Sequence, residues 1–232
     1  MSQVDSQVRS PLSELISSQQ VGAEGIEVAR AAIVYAQGTP AGHLYLIHHG
    51  QIRLYQVGPD GEERLVEILG PGQWFGTCAL SSNGHYAVQA VAATQAQLSR
   101  VQGSRLLDAV ARAPDAAKEL ILHLSGALQG AREESARLVF DDCNQRLISA
   151  MLRFSESAAA TRQGESIVLH LTHEQLAQAV GAARETISLA LTEMRHRNLV
   201  RTGRNRLIFN RDTLEAAASK ARHGRTEPQG VN

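Results

Sequence analysis

Between Ala32 and Ala92 the apolar residues come in short runs: Ala32-Ile33-Val34-Tyr35, Leu44-Tyr45-Leu46-Ile47, Ile52 to Val57, Leu65 to Leu69 and Val88 to Ala92. Runs of this length, rich in β-branched and aromatic residues, predict strands. The separators Gln37-Gly38-Thr39-Pro40, His49-Gly50, Gly58-Pro59-Asp60-Gly61 and Gly70-Pro71-Gly72 carry turn chemistry. Evenly spaced short strands of this kind predict a small antiparallel barrel or jelly roll. The residues up to Ala31 give little beyond an amphipathic helix around Leu12 to Ile16.

Beyond Ser104 the period changes to that of a helix. Leu106, Leu107 and Val110 predict a short amphipathic helix, and Pro114 separates it from a longer one carrying Leu120, Leu124, Ala127, Leu128, Ala131 and Leu138 near heptad spacing. That stripe could pack on the barrel or pair with its copy in a homodimer. The dimer is favoured, because a two-fold protein also turns one recognition element into two. Asp141 or Asp142 then caps a fresh helix through Leu147, Met151 and Phe154, with a hinge near Val139 to Asp142.

The stretch from Leu171 to Arg195 has the pattern of a helix-turn-helix. Thr172 and Gln175 have capping-box spacing, and Leu176, Ala177 and Val180 share one helical face. Gly181 follows where the chain must turn sharply. In the next helix Ile187, Leu191 and Met194 face inward, leaving Arg184, Glu185 and Ser188 outward. Arg can bond both acceptors of a guanine, and Glu can accept from a cytosine amino group. Arg201, Arg204, Arg206 and Arg211 come next, with Gly203 at a turn and Leu207-Ile208-Phe209 as a strand, which predicts a basic wing against phosphates. The plainer alternative is a helical hairpin with a solvated charged face.

At 232 residues the chain is long enough for two cores, and its 23 Lys plus Arg balance 23 Asp plus Glu. Net charge therefore argues for no nucleic acid; the basic character is local. No apolar run approaches the roughly 20 residues that span a bilayer, so no membrane is expected. The start MSQVDSQVRS lacks the character of a signal peptide, and a cytoplasmic protein is expected. Two cysteines, Cys78 and Cys143, are too few for a disulfide scaffold or a four-thiolate cluster.

Several of these stretches resemble motifs of the cyclic-AMP receptor and Fnr (Crp/Fnr) superfamily of bacterial transcription regulators. They are Leu44 to Ile47 with Gly50, Pro59-Asp60-Gly61, Leu69-Gly70-Pro71-Gly72-Gln73-Trp74-Phe75-Gly76, and Leu171 to Ala177 with Gly181 and Arg184 to Ser188. The likeness runs from Ala32 to Leu214. It implies an α+β chain with an N-terminal antiparallel β-roll (a jelly roll like a cyclic nucleotide-binding domain), a long dimerisation helix and a C-terminal winged helix-turn-helix. The implied divisions are a sensor domain over residues 1–113, the helix and hinge over 114–140, the DNA-binding domain over 141–220 and a disordered tail over 221–232. The implied partners are a palindromic double-stranded operator, a second copy, RNA polymerase and a small effector. DNA contacts fall on Thr172, His173, Arg184, Glu185, Ser188, Leu189 and Arg204.

The effector is the open question. In the nucleotide-binding members a glutamate meets the ribose and an Arg-Ser pair the cyclic phosphate; here Thr77, Tyr86 and Ala87 match. A Thr-Ser pair for adenine is matched by Ala131 and Arg132. A buried phosphate without its cation is strongly penalised, so cyclic AMP in the usual pose is not expected. The effector-pocket candidates are Leu65, Gly76, Thr77, Cys78, Tyr86, Ala87, Leu128, Ala131 and Arg132. Haem is the alternative, making the chain a gas or redox sensor of the same family: Cys78 lies near the segment where a haem-based carbon monoxide sensor holds its iron, and His85, His43, His48, His49 and His123 supply imidazoles. Thiol sensing has less behind it, since nothing cationic adjoins either cysteine. Arg132 could bind another anion or form an interhelical ion pair. Leu189 stands where the family commonly has a second arginine, and is expected to meet a thymine methyl. A cupin-like metal enzyme would need His48, His49 and Glu67, but the HxH spacing is missing and the C-terminal module would be idle. A dimerising adaptor would need an acidic recognition face, and this one is basic.

Overall fold

The computed structural model describes residues 10–18 and 21–223. They form two compact units, Met1–Glu133 and Glu134–Asn232. The division falls inside one helix, so its last turns belong with the second unit.

In the first unit α1 (Pro11–Ser17) opens on a Ser10/Ser13 capping box. Then come β1 (Glu24–Val28), β2 (Ile33–Tyr35), β3 (His43–His49), β4 (Ile52–Val57), β5 (Glu63–Leu69) and β6 (Trp74–Phe75). A 3-10 turn (Thr77–Leu80), β7 (Gln89–Ala92), β8 (Ala96–Gln102), α2 (Gly103–Val110) and the long α3 (Pro114–Phe140) follow. The strands make two antiparallel sheets, in the orders β1-β8-β3-β6 and β2-β7-β4-β5. All five expected strands are present. Sequence reading missed β1, β6 and β8. In β1 and β8, Glu24, Glu27, Gln97, Ser99 and Arg100 interrupt the apolar pattern with residues that face solvent or pair across the edge, as Glu24 does with Arg100. β6 is only two residues long.

β3 shows why the roll holds together. Its Leu44 and Leu46 point into one cluster while Tyr45 and Ile47 point into another, so the strand is buried on both faces and reads as an unbroken apolar run. The inner cluster lies between the sheets and holds Tyr35, Tyr45, Phe75, Tyr86, Ile52, Leu54 and Leu98. The other seats α1, α2 and the start of α3 on the roll through Leu12, Ile16, Leu106, Val110, Trp74 and Leu120. Glu119 of α3 accepts a hydrogen bond from the Leu12 amide at 2.8 Å, satisfying a free donor of the first turn of α1. α3 leaves Ile121, Leu122, Leu124 and Leu128 exposed.

The second unit comprises α4 (Cys143–Phe154), β9 (Ala160–Gln163), β10 (Ser166–Leu169), α5 (His173–Val180), α6 (Arg184–His196), β11 (Arg201–Gly203), β12 (Arg206–Asn210) and α7 (Arg211–His223). Its sheet runs β11-β12-β10-β9. Two features depart from expectation. β9 and β10 make the wing part of a four-stranded sheet, and residues 221–223, expected in a tail, are the last turn of α7. The rest of that tail, 224–232, lies outside the described residues.

One titration follows from the packing of α3. The His123 ring lies 4.0 Å from Trp74, centroid to centroid; the residue is exposed on its outer side, but desolvation on the side facing Trp74 pushes its pKa below the ordinary 6.5, with Glu119 opposing. The folded state therefore binds fewer protons at this ring than the unfolded chain does, so stability falls as pH drops below about 6.5 and levels off beneath the lowered value. Thermal midpoints measured between about pH 7.5 and 5 should decline, and His123→Phe should shrink that decline.

Candidate nucleic-acid interface

The second unit is built to present one helix. Asp142 caps α4 through a capping box with Gln145, and Thr172 does the same for α5, its hydroxyl accepting from the Gln175 amide at 3.1 Å. Gly181 ends α5 in the left-handed region at φ 68°, where a side chain would be strained, and its amide donates to the Ala177 carbonyl. α6 then packs Ile187, Leu191 and Met194 inward, all nearly fully buried, beside the buried Leu176 and Val180 of α5. This fixes which residues face out: Arg184, Glu185, Thr186 and Leu189 are exposed, Leu189 to 73%.

Ser188 and His173 are placed differently. Both are half-buried, and His173 Nδ1 lies 2.9 Å from Ser188 Oγ, tying the start of α5 to α6. The same hydroxyl lies 2.9 Å from the Arg184 carbonyl.

The wing is a tight hairpin. Gly203 pairs with Arg206 across the two-residue turn Arg204-Asn205, where Asn205 takes φ 56°. Leu207 and Phe209 face the core, while Arg201, Arg204 and Arg206 are exposed. Arg211 does not join them. It bonds Glu156 at 2.5 Å, Glu215 at 2.7 Å and Ser155 at 3.3 Å, which pins α7 to the end of α4. The two carboxylates raise its pKa through these hydrogen bonds. Sequence reading placed Arg211 in the basic wing and overlooked Arg146. Arg146 donates from Nε to the Val180 carbonyl (3.2 Å) and from Nη1 to the Asp141 carbonyl (3.1 Å), setting a cation at the C-terminus of α5. An arginine in the first turn of a helix carries no signal of that role.

In the first unit, Gly76 turns the chain at φ 88° with a carbonyl of β3 so close that an added Cβ would lie 2.9 Å from it. Thr77 and Cys78 follow, both half-buried, with Cys78 packed against the inner cluster. Tyr86 is 5% exposed and stacks on Tyr35 with centroids 3.7 Å apart. Its hydroxyl donates to the His43 carbonyl (2.7 Å) and accepts from the His43 amide (3.2 Å). Burial, and then the neighbouring Tyr86, pushes the Tyr35 and Tyr45 hydroxyls well above the usual tyrosine range, so those two stay neutral. Leu65 is fully buried, whereas Ala87, His85, Leu128, Ala131 and Arg132 are exposed. Among the described residues no three His, Cys, Asp or Glu side chains could hold a metal ion, and no helix is long and apolar enough to cross a membrane.

Residues 26–113 match the description of a cyclic nucleotide-binding domain and residues 145–217 that of a Crp-like helix-turn-helix domain. The chain is 30% identical over 195 residues to a CRP-like cAMP-activated global transcriptional regulator of Mycobacterium tuberculosis, covering 83% of this chain and 87% of that one. The chain belongs to the Crp/Fnr family. A cyclic AMP receptor protein of Thermus thermophilus is 31% identical over 170 residues, 73% of this chain and 76% of that one. The solved structure of a CRP/FNR-family transcriptional regulator from Thermus thermophilus superposes with a TM-score of 0.68 at 26% identity, over 84% of this chain and 98% of that one. Members of the Crp/Fnr family are DNA-binding transcription regulators that act as dimers.

The two wing-region arginines should separate in experiment. Arg211→Ala should lower the thermal midpoint and leave the salt dependence of DNA binding unchanged. Arg204→Ala should leave the midpoint unchanged and reduce the slope of log K against log salt by about one.

Proposed function

We propose that this chain is a homodimeric, sequence-specific regulator of transcription that reads a palindromic operator, with Arg184 and Glu185 selecting a guanine and a cytosine in each half-site. The supporting observation is the exposed first turn of α6, which carries both residues above a fully buried inner face. Leu189, also exposed, adds apolar contact to a thymine methyl, and Arg201, Arg204 and Arg206 meet phosphates, which position the protein without specifying sequence. A second copy covers α3. Its exposed Ile121, Leu124 and Leu128 recur at the three-four spacing of a helix-pairing seam, and no segment of the described chain lies over them. Arg132 on the same helix serves an interhelical ion pair. RNA polymerase is the further partner when promoters are activated.

Control through the β-roll is exerted other than by cyclic AMP in the pose of the nucleotide-binding members. The Mycobacterium tuberculosis relative is named as cAMP-activated. Here Tyr86 and Ala87 stand where the phosphate-binding pair belongs, and Tyr86 is committed to Tyr35 and to the His43 backbone. The effector is another small metabolite, or the regulator works without one. For haem, the candidate ligands Cys78 and His85 lie in different surroundings, Cys78 packed against the aromatic cluster and His85 exposed, and a haem-dependent sensor is therefore the less favoured alternative.

Two measurements test this reading. Arg184→Ala should cost about 1–3 kcal/mol on the best operator and relax preference at one base pair; equal losses on matched and mismatched operators would contradict the assignment. Calorimetric titration with cyclic AMP up to about 1 mM should give no saturable heat, and a saturating one-per-chain isotherm with tighter operator binding would overturn the effector reading.

A further inference from the structure

The hydrogen bonds at Ser188 restrict what that side chain can do. Its hydroxyl has one proton and lies 2.9 Å from two partners, the Arg184 carbonyl and His173 Nδ1. The carbonyl can accept and never donate. If the hydroxyl proton were aimed at His173, the contact with the Arg184 oxygen would bring two acceptors together with no proton between them. Both contacts are satisfied in one arrangement: Ser188 donates to Arg184, and His173 carries its proton on Nδ1 and donates to Ser188. Ser188 then has no proton left for a base acceptor such as guanine N7 and O6, adenine N7 or thymine O4. Of its two acceptor lone pairs one takes the His173 proton, and its half-buried place between the exposed Glu185 and Leu189 holds the other back from the amino groups of adenine and cytosine.

We infer, on the basis that α6 is the DNA-reading helix, that Ser188 and His173 are a positioning pair which locks α6 onto the start of α5, and that Ser188 takes no part in choosing bases. Base choice in each half-site is left to Arg184, Glu185 and Leu189. The pair has a clear mechanical purpose. Ser188 holds the carbonyl of Arg184, one turn earlier, and His173 holds Ser188, so the turn that carries Arg184 and Glu185 is fixed to a helix end already set by the Thr172 cap. Thr192 continues the chain of bonds by donating to the Ser188 carbonyl at 2.9 Å.

The chemistry of the ring makes the inference testable apart from mere folding. Asparagine carries an amide N–H at the place of Nδ1, and glutamine carries one at the place of Nε2. The full-length protein and its Ser188→Ala, His173→Ala, His173→Asn and His173→Gln variants, with the Ser188→Ala/His173→Ala double variant, would be titrated against the preferred operator and each single-base change of one half-site. Thermal midpoints would be recorded alongside. The lock predicts that Ser188→Ala and His173→Ala each weaken binding about 3- to 10-fold on every operator alike, with base preferences unchanged. The double variant should be no weaker than either single one. His173→Asn should recover most of the loss, and His173→Gln should not.

Three outcomes among the variants would overturn the inference. Relaxed preference at one base pair in Ser188→Ala would make Ser188 a base reader. Rescue by Gln rather than Asn would assign His173 to an outward contact with phosphate through Nε2. Unchanged binding in both alanine variants would show that the bridge positions nothing. A wild-type protein without operator preference would overturn the DNA-reading assignment as well, and it is recognised separately because it needs no variant.

Discussion

The burial of Ile187, Leu191 and Met194 is the interaction on which the rest of this molecule depends. These side chains fix the rotation of α6 about its own axis, and rotation decides whether Arg184 and Glu185 face outward or inward. Each fully buried side chain of this kind contributes about 1.5–3 kcal/mol. The seam outweighs the hydrogen bonds around it, which contribute about 1 kcal/mol each. Those bonds supply orientation instead: the Thr172 cap, the left-handed Gly181 and the Arg146 clamp on the Val180 carbonyl each fix one end of α5. A recognition helix needs both. Burial keeps it in place, and the directional contacts keep its first turn at one angle.

The β-roll shows the opposite use of space. β3 is buried on both faces, and its inner side meets the Tyr35, Tyr45, Phe75 and Tyr86 rings. A phosphate entering this aromatic interior would leave water without meeting a cation among these rings, and the neutral Tyr35 and Tyr45 hydroxyls offer it no countercharge. An effector acting on the roll must therefore bind one of two states better than the other without relying on the nucleotide pose. In the proposed dimer, the exposed apolar stripe of α3 would pass such a preference to the second copy.

Sequence made the recognition module legible because its signals are local. A capping box, a glycine at the turn and apolar residues three and four apart are all set within about 25 residues, and the structure reproduces each. The same holds for the five roll strands whose runs are apolar or alternate with single polar residues. What escaped depended on partners far along the chain. β8 carries Gln97, Ser99 and Arg100, and becomes a strand by pairing with both β1 and β3. Arg211 looked like a wing residue until Glu156, 55 positions away, took its charge. Arg146 reaches a carbonyl 34 positions on, and the role of Ser188 depends on His173, 15 positions before it. Tyr86 announced a missing cation in the sequence, whereas its stacking on Tyr35 became visible in the fold.

Selection of binding sites from a randomised duplex library with the full-length protein tests the central claim most directly. A two-fold reader of DNA carrying Arg184 and Glu185 on its recognition helix predicts an enriched palindrome, with a G and a C in each half-site and half-site centres about one helical turn, roughly 34–36 Å, apart. An unenriched pool, or an asymmetric single half-site bound by a monomer, would contradict it.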